Sequence, residues 1–293
     1  MVAQARLSES SSTVRVDGGE VGYAEYGDPD GSPILFFHGI PGSRLLGRAL
    51  HDAGRATAAR IVALERPGCG LSDHRRARSV ADCARVAGDA ADQLGIGRFC
   101  SLGVSGGGPY ALACARLFPE RVAAVVLVSS VGTPEEPGVV LRSSRVLVAL
   151  GRFSPLLVVP PLVLAKRRVA RQYDQVLRAV EDELAADGVD HPQAAKLLLT
   201  DCFEAFARGS RGVAGDCARI RHWGFAPEEV RAPVHLWHGR DDRHISVHAA
   251  ELLARRLPAC RARFLRSEGH FRVLQDHAVE ILDTLVAAIS GPH

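Results

Sequence analysis

Three short segments of this chain carry side chains that together could attack, protonate and stabilise a carbonyl centre. The first, Gly103-Val104-Ser105-Gly106-Gly107, sets a serine among glycines between an apolar run at 99–104 and a helix-forming one at 110–118 that stops before Pro119. A sharp strand-to-helix turn is needed at that junction, and glycine tolerates the close backbone approach such a turn demands. The hydroxyl of Ser105 then projects from the top of a sheet as a candidate nucleophile. Gly106 and Gly108 leave the amides at the helix start unobstructed, so the positive end of the helix dipole faces negative charge developing beside Ser105.

The second segment, Trp237-His238-Gly239-Arg240-Asp241-Asp242, closes a late strand, where a carboxylate could orient an imidazole. The third, Glu268-Gly269-His270-Phe271, follows the last strand. Asp242 and His270 lie 28 positions apart, room for one helix and one strand, so both can return to the same sheet edge. Asp241 competes for the acid role. At the end of the first central strand, Phe36-Phe37-His38-Gly39-Ile40-Pro41-Gly42 can present the amide of Ile40 toward Ser105. With the amide of Gly106 it would form a two-donor oxyanion hole. His38, beside a tight glycine turn, is expected to be structural rather than a base.

The elements that must position these groups follow from periodicity. Residues 13–16 and 21–26 read as a hairpin joined through Asp17-Gly18-Gly19. Apolar strands at 34–37, 61–64, 99–104 and 122–128 alternate with helical stretches near 45–59, 80–94 and 109–118, the pattern of a mostly parallel, twisted sheet with helices on both faces. Between 133 and 215 the strand signal disappears, and Val176, Leu177, Val180 and Leu184, then Leu197, Leu198, Cys202, Phe203 and Phe206, recur at helical spacing. This predicts a helical insertion at 133–215 between core segments 1–132 and 216–293. Strand 234–237, helix 249–257, strand 262–265 and a final helix with Leu274, Ala278, Ile281, Leu282, Leu285 and Ile289 on one face complete the expected α/β core.

With 293 residues the chain can bury a substantial core, and its formal net charge of +3, with acids and bases interspersed, argues against nucleic acid as a partner. The first twelve residues contain no apolar run of signal-peptide length. The longest apolar stretch, at 153–165, is broken by Ser154, Pro155, Pro160 and Pro161 and falls short of the roughly 18 residues a membrane span needs. Seven cysteines without a C-x-x-C pair fit reduced thiols in a cytoplasm. His235, His238, His244 and His248 crowd the Asp242 loop without metal-ligand spacing, so no metal and no cofactor is expected.

Taken together, the elbow, the HGxPG stretch at 38–42, and the aspartate and histidine segments in the chain order Ser105, Asp242, His270 resemble the α/β-hydrolase superfamily. Glu65-Arg66-Pro67-Gly68-Cys69-Gly70-Leu71-Ser72 resembles its D-R-P-G-x-G-x-S loop, departing in Glu65. Residues 216–225, followed by 233–239, resemble a broad group of bacterial hydrolases. The resemblance covers nearly everything from Val21 to Ile289. It implies a Ser105–His270–Asp242 triad, with Asp242 chosen because the family places its acid three residues after the strand-end glycine. It also implies oxyanion amides from Ile40 and Gly106, and an insertion that serves as a lid over the site. The expected activity is hydrolysis of a carboxylic ester, thioester or lactone of a small-molecule acyl substrate. Carbon–carbon bond hydrolysis and cofactor-free perhydrolysis are alternatives on the same triad, and a non-catalytic small-molecule receptor is a further one. Within the insertion, 156–159 and 161–164 are candidates for an acyl pocket, a homodimer contact or packing of lid on body. Lys166-Arg167-Arg168 and Arg171 read as a water-facing side, and Trp223 and Phe225 as hinge packing.

Overall fold

The computed structural model describes residues 11–140, 142–189 and 193–291, so the polar leader at 1–10 lies outside the described residues. The chain opens with the antiparallel pair β1 (Ser12–Val16) and β2 (Gly19–Gly27), in register Val16 to Gly19 across the Asp17-Gly18 turn. Six further strands follow: β3 (Ser32–Phe37), β4 (Ala59–Leu64), β5 (Phe99–Val104), β6 (Val122–Val128), β7 (Val234–Gly239) and β8 (Cys260–Leu265). The sheet order is β1-β2-β4-β3-β5-β6-β7-β8, parallel from β4 to β8. The expected mostly parallel α/β sheet is thus present.

Side chains alternate across each strand, so one strand feeds two cores. Leu35 and Phe37 of β3 face a cluster with α2 (Val80–Gln93), α3 (Gly108–Leu117) and α9 (Val247–Arg256). Ile34 and Phe36 face the other side, with Leu46 and Leu50 of a 3-10 helix (Arg44–Leu50) and the buried stripe of α10 (Arg272–Ser290). Burial on both faces explains why the central strands read as continuous apolar runs. α2 starts where Ser79 and Asp82 form a reciprocal capping box, with Asp82 N 3.1 Å from Ser79 Oγ and Ser79 N 3.0 Å from Asp82 Oδ2. The helical stretch expected at 45–59 resolves into the 3-10 helix and a short α1 (His51–Ala56), because β4 already begins at Ala59.

Between β6 and β7 the described residues form α4 (Arg142–Phe153), α5 (Pro155–Arg171), α6 (Tyr173–Ala186), α7 (Ala194–Glu204) and α8 (Arg211–Arg219). α8 runs through position 215, four residues past the expected end of the insertion. These helices carry two small apolar clusters of their own, one centred on α5 and α8 and the other on α6 and α7. Trp223, where the chain returns to the sheet, is buried in the larger core, and its Nε1 donates to Ile220 O at 2.9 Å.

The strand order reverses at β3: the chain steps to β4 on one side and then to β5 on the other. Loops leaving the carboxyl ends of β3 and β5 therefore part around a crevice, the place where open α/β sheets bind ligands. In register, Phe37 of β3 lies opposite Gly103 of β5. The loop at 38–42 and Ser105 are neighbours for that reason.

Candidate active site

β5 ends at Val104, and Ser105 takes φ +54°, a region that costs energy for any residue with a Cβ. A Cβ at Gly107 would fall 2.0 Å from Phe37 O, so the chain can turn this tightly against β3 only with glycine there. Ser105 is partly exposed while the residues on either side of it are buried. Its carbonyl accepts from Val131 N at 3.1 Å, tying the turn to the segment after β6.

The loop after β3 lies alongside. A Cβ on Gly39 would meet Ser105 Cβ at 3.5 Å, and one on Gly106 would meet Ile40 Cγ1 at 2.6 Å. His38 is fully buried, and its Nδ1 sits 3.0 Å from Gly39 O. Burial, reinforced by the nearby Arg66 charge, pushes its pKa down to about 3, so it is a neutral structural imidazole. The buried Arg66 guanidinium donates from Nη1 to His38 O at 2.6 Å and from Nη2 to Gly39 O at 2.7 Å. In a trans peptide the carbonyl and the following N–H point in opposite directions. Fixing Gly39 O therefore also fixes the direction of the Ile40 amide.

Arg66 is itself held by Asp216 of α8, Nε to Oδ2 at 2.7 Å. Asp216 Oδ1 accepts from Arg219 Nη2 at 2.7 Å and from the Tyr110 hydroxyl of α3 at 3.1 Å. Burial alone would raise the Asp216 pKa, but the two arginines outweigh it and hold the carboxyl below its ordinary value. A second buried link runs from α7, where Asp201 Oδ1 accepts from Ser43 N at 2.8 Å, Ser43 Oγ at 2.6 Å and Leu46 N at 3.0 Å. Glu65, at the position where the resemblance expects aspartate, is buried against Arg44 at 2.6 Å.

Asp242 and His270 meet at the neighbouring strand ends. Asp242 Oδ2 lies 2.8 Å from His270 Nδ1, while Oδ1 accepts the amides of His244 at 2.7 Å and Ile245 at 2.9 Å. Burial opposes ionisation here, yet the His270 charge and hydrogen bond, with lesser help from His238 and the Ile245 amide, hold the carboxyl below its ordinary value. A carboxylate accepting at Nδ1 assigns the proton to that nitrogen and leaves Nε2 as the free basic position. The backbone carbonyl of His270 accepts from Ser129 Oγ at 3.0 Å, two residues from the amide that holds Ser105. Among the described hydrogen bonds none joins His270 Nε2 to Ser105 Oγ. Asp241 is exposed, its amide donating to Glu268 O at 3.0 Å, and it does not contact the imidazole.

The helices between β6 and β7 reach this pair as well. His244 stacks on His270, ring centroids 4.6 Å apart and planes tilted 32°, and its Nε2 lies 2.6 Å from Glu183 Oε1 of α6. Asp187, just after α6, accepts from the amides of Phe271 at 2.8 Å and Arg272 at 3.1 Å. Glu183, Asp187, Asp201 and Asp216 carried no local signal in the sequence. Asp187 and Asp216 bond partners some 84 and 150 positions away, and only the fold sets those distances. Among the described residues no group of three His, Cys, Asp or Glu side chains could hold a metal ion. None of their helices is long and apolar enough to cross a membrane.

A family model described as the alpha/beta hydrolase fold matches residues 32–150. A proline iminopeptidase of Neisseria gonorrhoeae is 35% identical over 117 residues, 37% of this chain and 36% of that protein. The match thus spans about a third of the curated relative's length. Among solved structures, an esterase of Rhodococcus sp. ECU1013 superposes with a TM-score of 0.68 at 20% identity, covering 96% of this chain and 99% of that one. An enol-lactonase of Burkholderia xenovorans LB400 does so with a TM-score of 0.66 at 16% identity, covering 96% and 100%. At these identities the structural likenesses speak for the fold.

Proposed function

From the family-model match at 32–150 and the fold, we propose that the chain is a serine hydrolase of the α/β-hydrolase superfamily that cleaves a small carboxylic ester, thioester or lactone through an acyl-enzyme. The observation that carries this reading is the buried 2.8 Å contact between Asp242 and His270 at the sheet edge that holds the strained Ser105.

In this reading Ser105 Oγ attacks the acyl carbon while His270 Nε2 takes the hydroxyl proton. The negative charge moves to the carbonyl oxygen, where the amides of Ile40 and Gly106 receive it. His270 then passes its proton to the leaving oxygen or sulfur, and the bond from that atom to the acyl carbon breaks. Water, deprotonated by the same nitrogen, releases the acid and restores Ser105. Asp242 keeps the proton on Nδ1 and steadies the imidazolium. In this reading the hydrogen bond from Ser105 Oγ to His270 Nε2 forms when substrate binds, as catalytic hydrogen bonds of this kind often do. Residues 133–215 act as the lid, with Glu183 of α6 on His244 in the Asp242 loop and Asp187, just after α6, on the amide that follows His270. Seven cysteines without a disulfide among the described residues suit a reducing, cytoplasmic setting.

A fluorophosphonate probe with mass-spectrometric mapping tests this. Native protein should label at Ser105 and turn over the ester, His270→Ala should label slowly and lose about two to four powers of ten in ester turnover, and Ser105→Ala should neither label nor turn over the ester. Undiminished ester turnover by Ser105→Ala would refute the covalent mechanism.

A further inference from the structure

The helix whose inner side covers the loop at 38–42 turns an apolar and then cationic stripe outward. On the inner side of α5, Val158 and Leu162 are buried in the cluster against which Ile40 packs. On the outer side Leu156 and Leu164 are each 69% exposed, and Phe153, closing α4, is 79% exposed. Leu157 and the in-helix Pro160 and Pro161 are exposed between them. Within α5 these positions recur three and four residues apart and so form one continuous side, with Phe153 ending α4 just ahead of it. The same side continues into exposed Arg167, Arg168 and Arg171 at the end of the helix.

Charge along this stretch is one-sided. Residues 137–173 hold seven lysines and arginines and no acid, whereas the whole chain has a formal net charge of only +3, so everything outside the stretch is net acidic. Among the described residues, Arg167, Arg168 and Arg171 enter no ion pair; Arg168 reaches only the Gln172 amide oxygen, at 3.3 Å. Large apolar side chains grouped in water along one side of a helix mark an interaction surface. A second copy docked face to face would bring two acid-free cationic stretches together. A surface that is apolar within and anionic at its rim complements both halves of the stripe.

We propose that α5 docks this protein on an anionic phospholipid surface. The helix lies in the plane of the interface, Phe153, Leu156, Leu157 and Leu164 enter the boundary of the acyl chains, and Arg167, Arg168 and Arg171 sit at the phosphates. The docking requires no catalytic chemistry, so it stands or falls separately from the hydrolase reading.

Co-sedimentation with vesicles of mixed phosphatidylglycerol and phosphatidylcholine, against phosphatidylcholine alone, tests it. Native protein should bind the anionic vesicles, bind the zwitterionic ones far less, and release in high salt. Leu156→Ser with Leu164→Ser should weaken partitioning at least about tenfold. Arg167→Gln with Arg168→Gln should weaken it about fivefold per arginine. All four positions are exposed, so thermal unfolding should be unchanged and verifies that the variants are folded. Failure of the native protein to sediment with anionic vesicles, or equal binding by native and variants, overturns the proposal. So does a native dimer, seen by light scattering, that the leucine variants turn into monomer, which would give this face to a second copy.

Discussion

At the scale of single residues, the proposed chemistry rests on direction as much as on proximity. Asp242 uses both carboxylate oxygens, one for two backbone amides and one for His270. The amides lock its orientation, and the buried charge then selects the imidazole tautomer. Asp242→Asn preserves the shape but offers an amide donor or a weaker acceptor to Nδ1, so the proton can settle on Nε2, where the base is needed. Ester turnover should fall by about 10⁴ with the fold intact, read as kcat at saturating substrate. Arg66 acts by the same logic at a distance from the reacting atoms: by taking the carbonyls of His38 and Gly39 it sets which way the Ile40 amide faces.

At the scale of elements, the helices between β6 and β7 are bonded to both sides of the candidate site. α8 carries Asp216, which anchors Arg66 beneath the 38–42 loop, and α6 leads into Asp187, which caps the first amides of α10 immediately after His270. A carboxylate at a helix N-terminus satisfies orphan amides and complements the dipole. Asp187→Ala should therefore cost about 1 kcal/mol in urea unfolding. Since the freed amides flank His270, kcat for a short ester should fall while KM holds. A cap serving stability alone would leave kcat unchanged.

At the scale of the molecule, Asp201 joins α7 to the 3-10 helix after the 38–42 loop, and its environment makes that joint sensitive to pH. Burial, stronger than its three hydrogen bonds from Ser43 and Leu46, raises its pKa to about 7. Between the ordinary aspartate range near pH 4 and pH 7 the folded protein holds a proton that the unfolded chain releases. Stability from this group is thus greatest below that window, falls as pH rises through it, and levels off above pH 7. Asp201→Asn should remove this component, so the melting temperature of the variant relative to native should climb from pH 5 to pH 8. A constant offset across that range would contradict the raised pKa.

How much of this was legible in the chain can be judged from particular elements. Apolar runs at 34–37, 99–104 and 122–128 could satisfy their burial only as central strands, and the serine between glycines at 103–107 could only be a tight turn. The segments bearing Ser105, Asp242 and His270, each at a strand end, were readable because short-range composition dictates such turns. The stretch at 153–165 was legible as apolar and part of a helical insertion, but which side faced inward was not: Val158 and Leu162 went in, Leu156 and Leu164 out. The partners of buried charges were invisible too, since Arg66 with Asp216 and Ser43 with Asp201 are 150 and 158 positions apart. Local sequence determined the elements and the chemistry at their ends, because propensity, turns and periodicity act over a few residues. Only the tertiary structure decided which charges are buried together and which face meets water, because desolvation and pairing exist only once distant segments have packed.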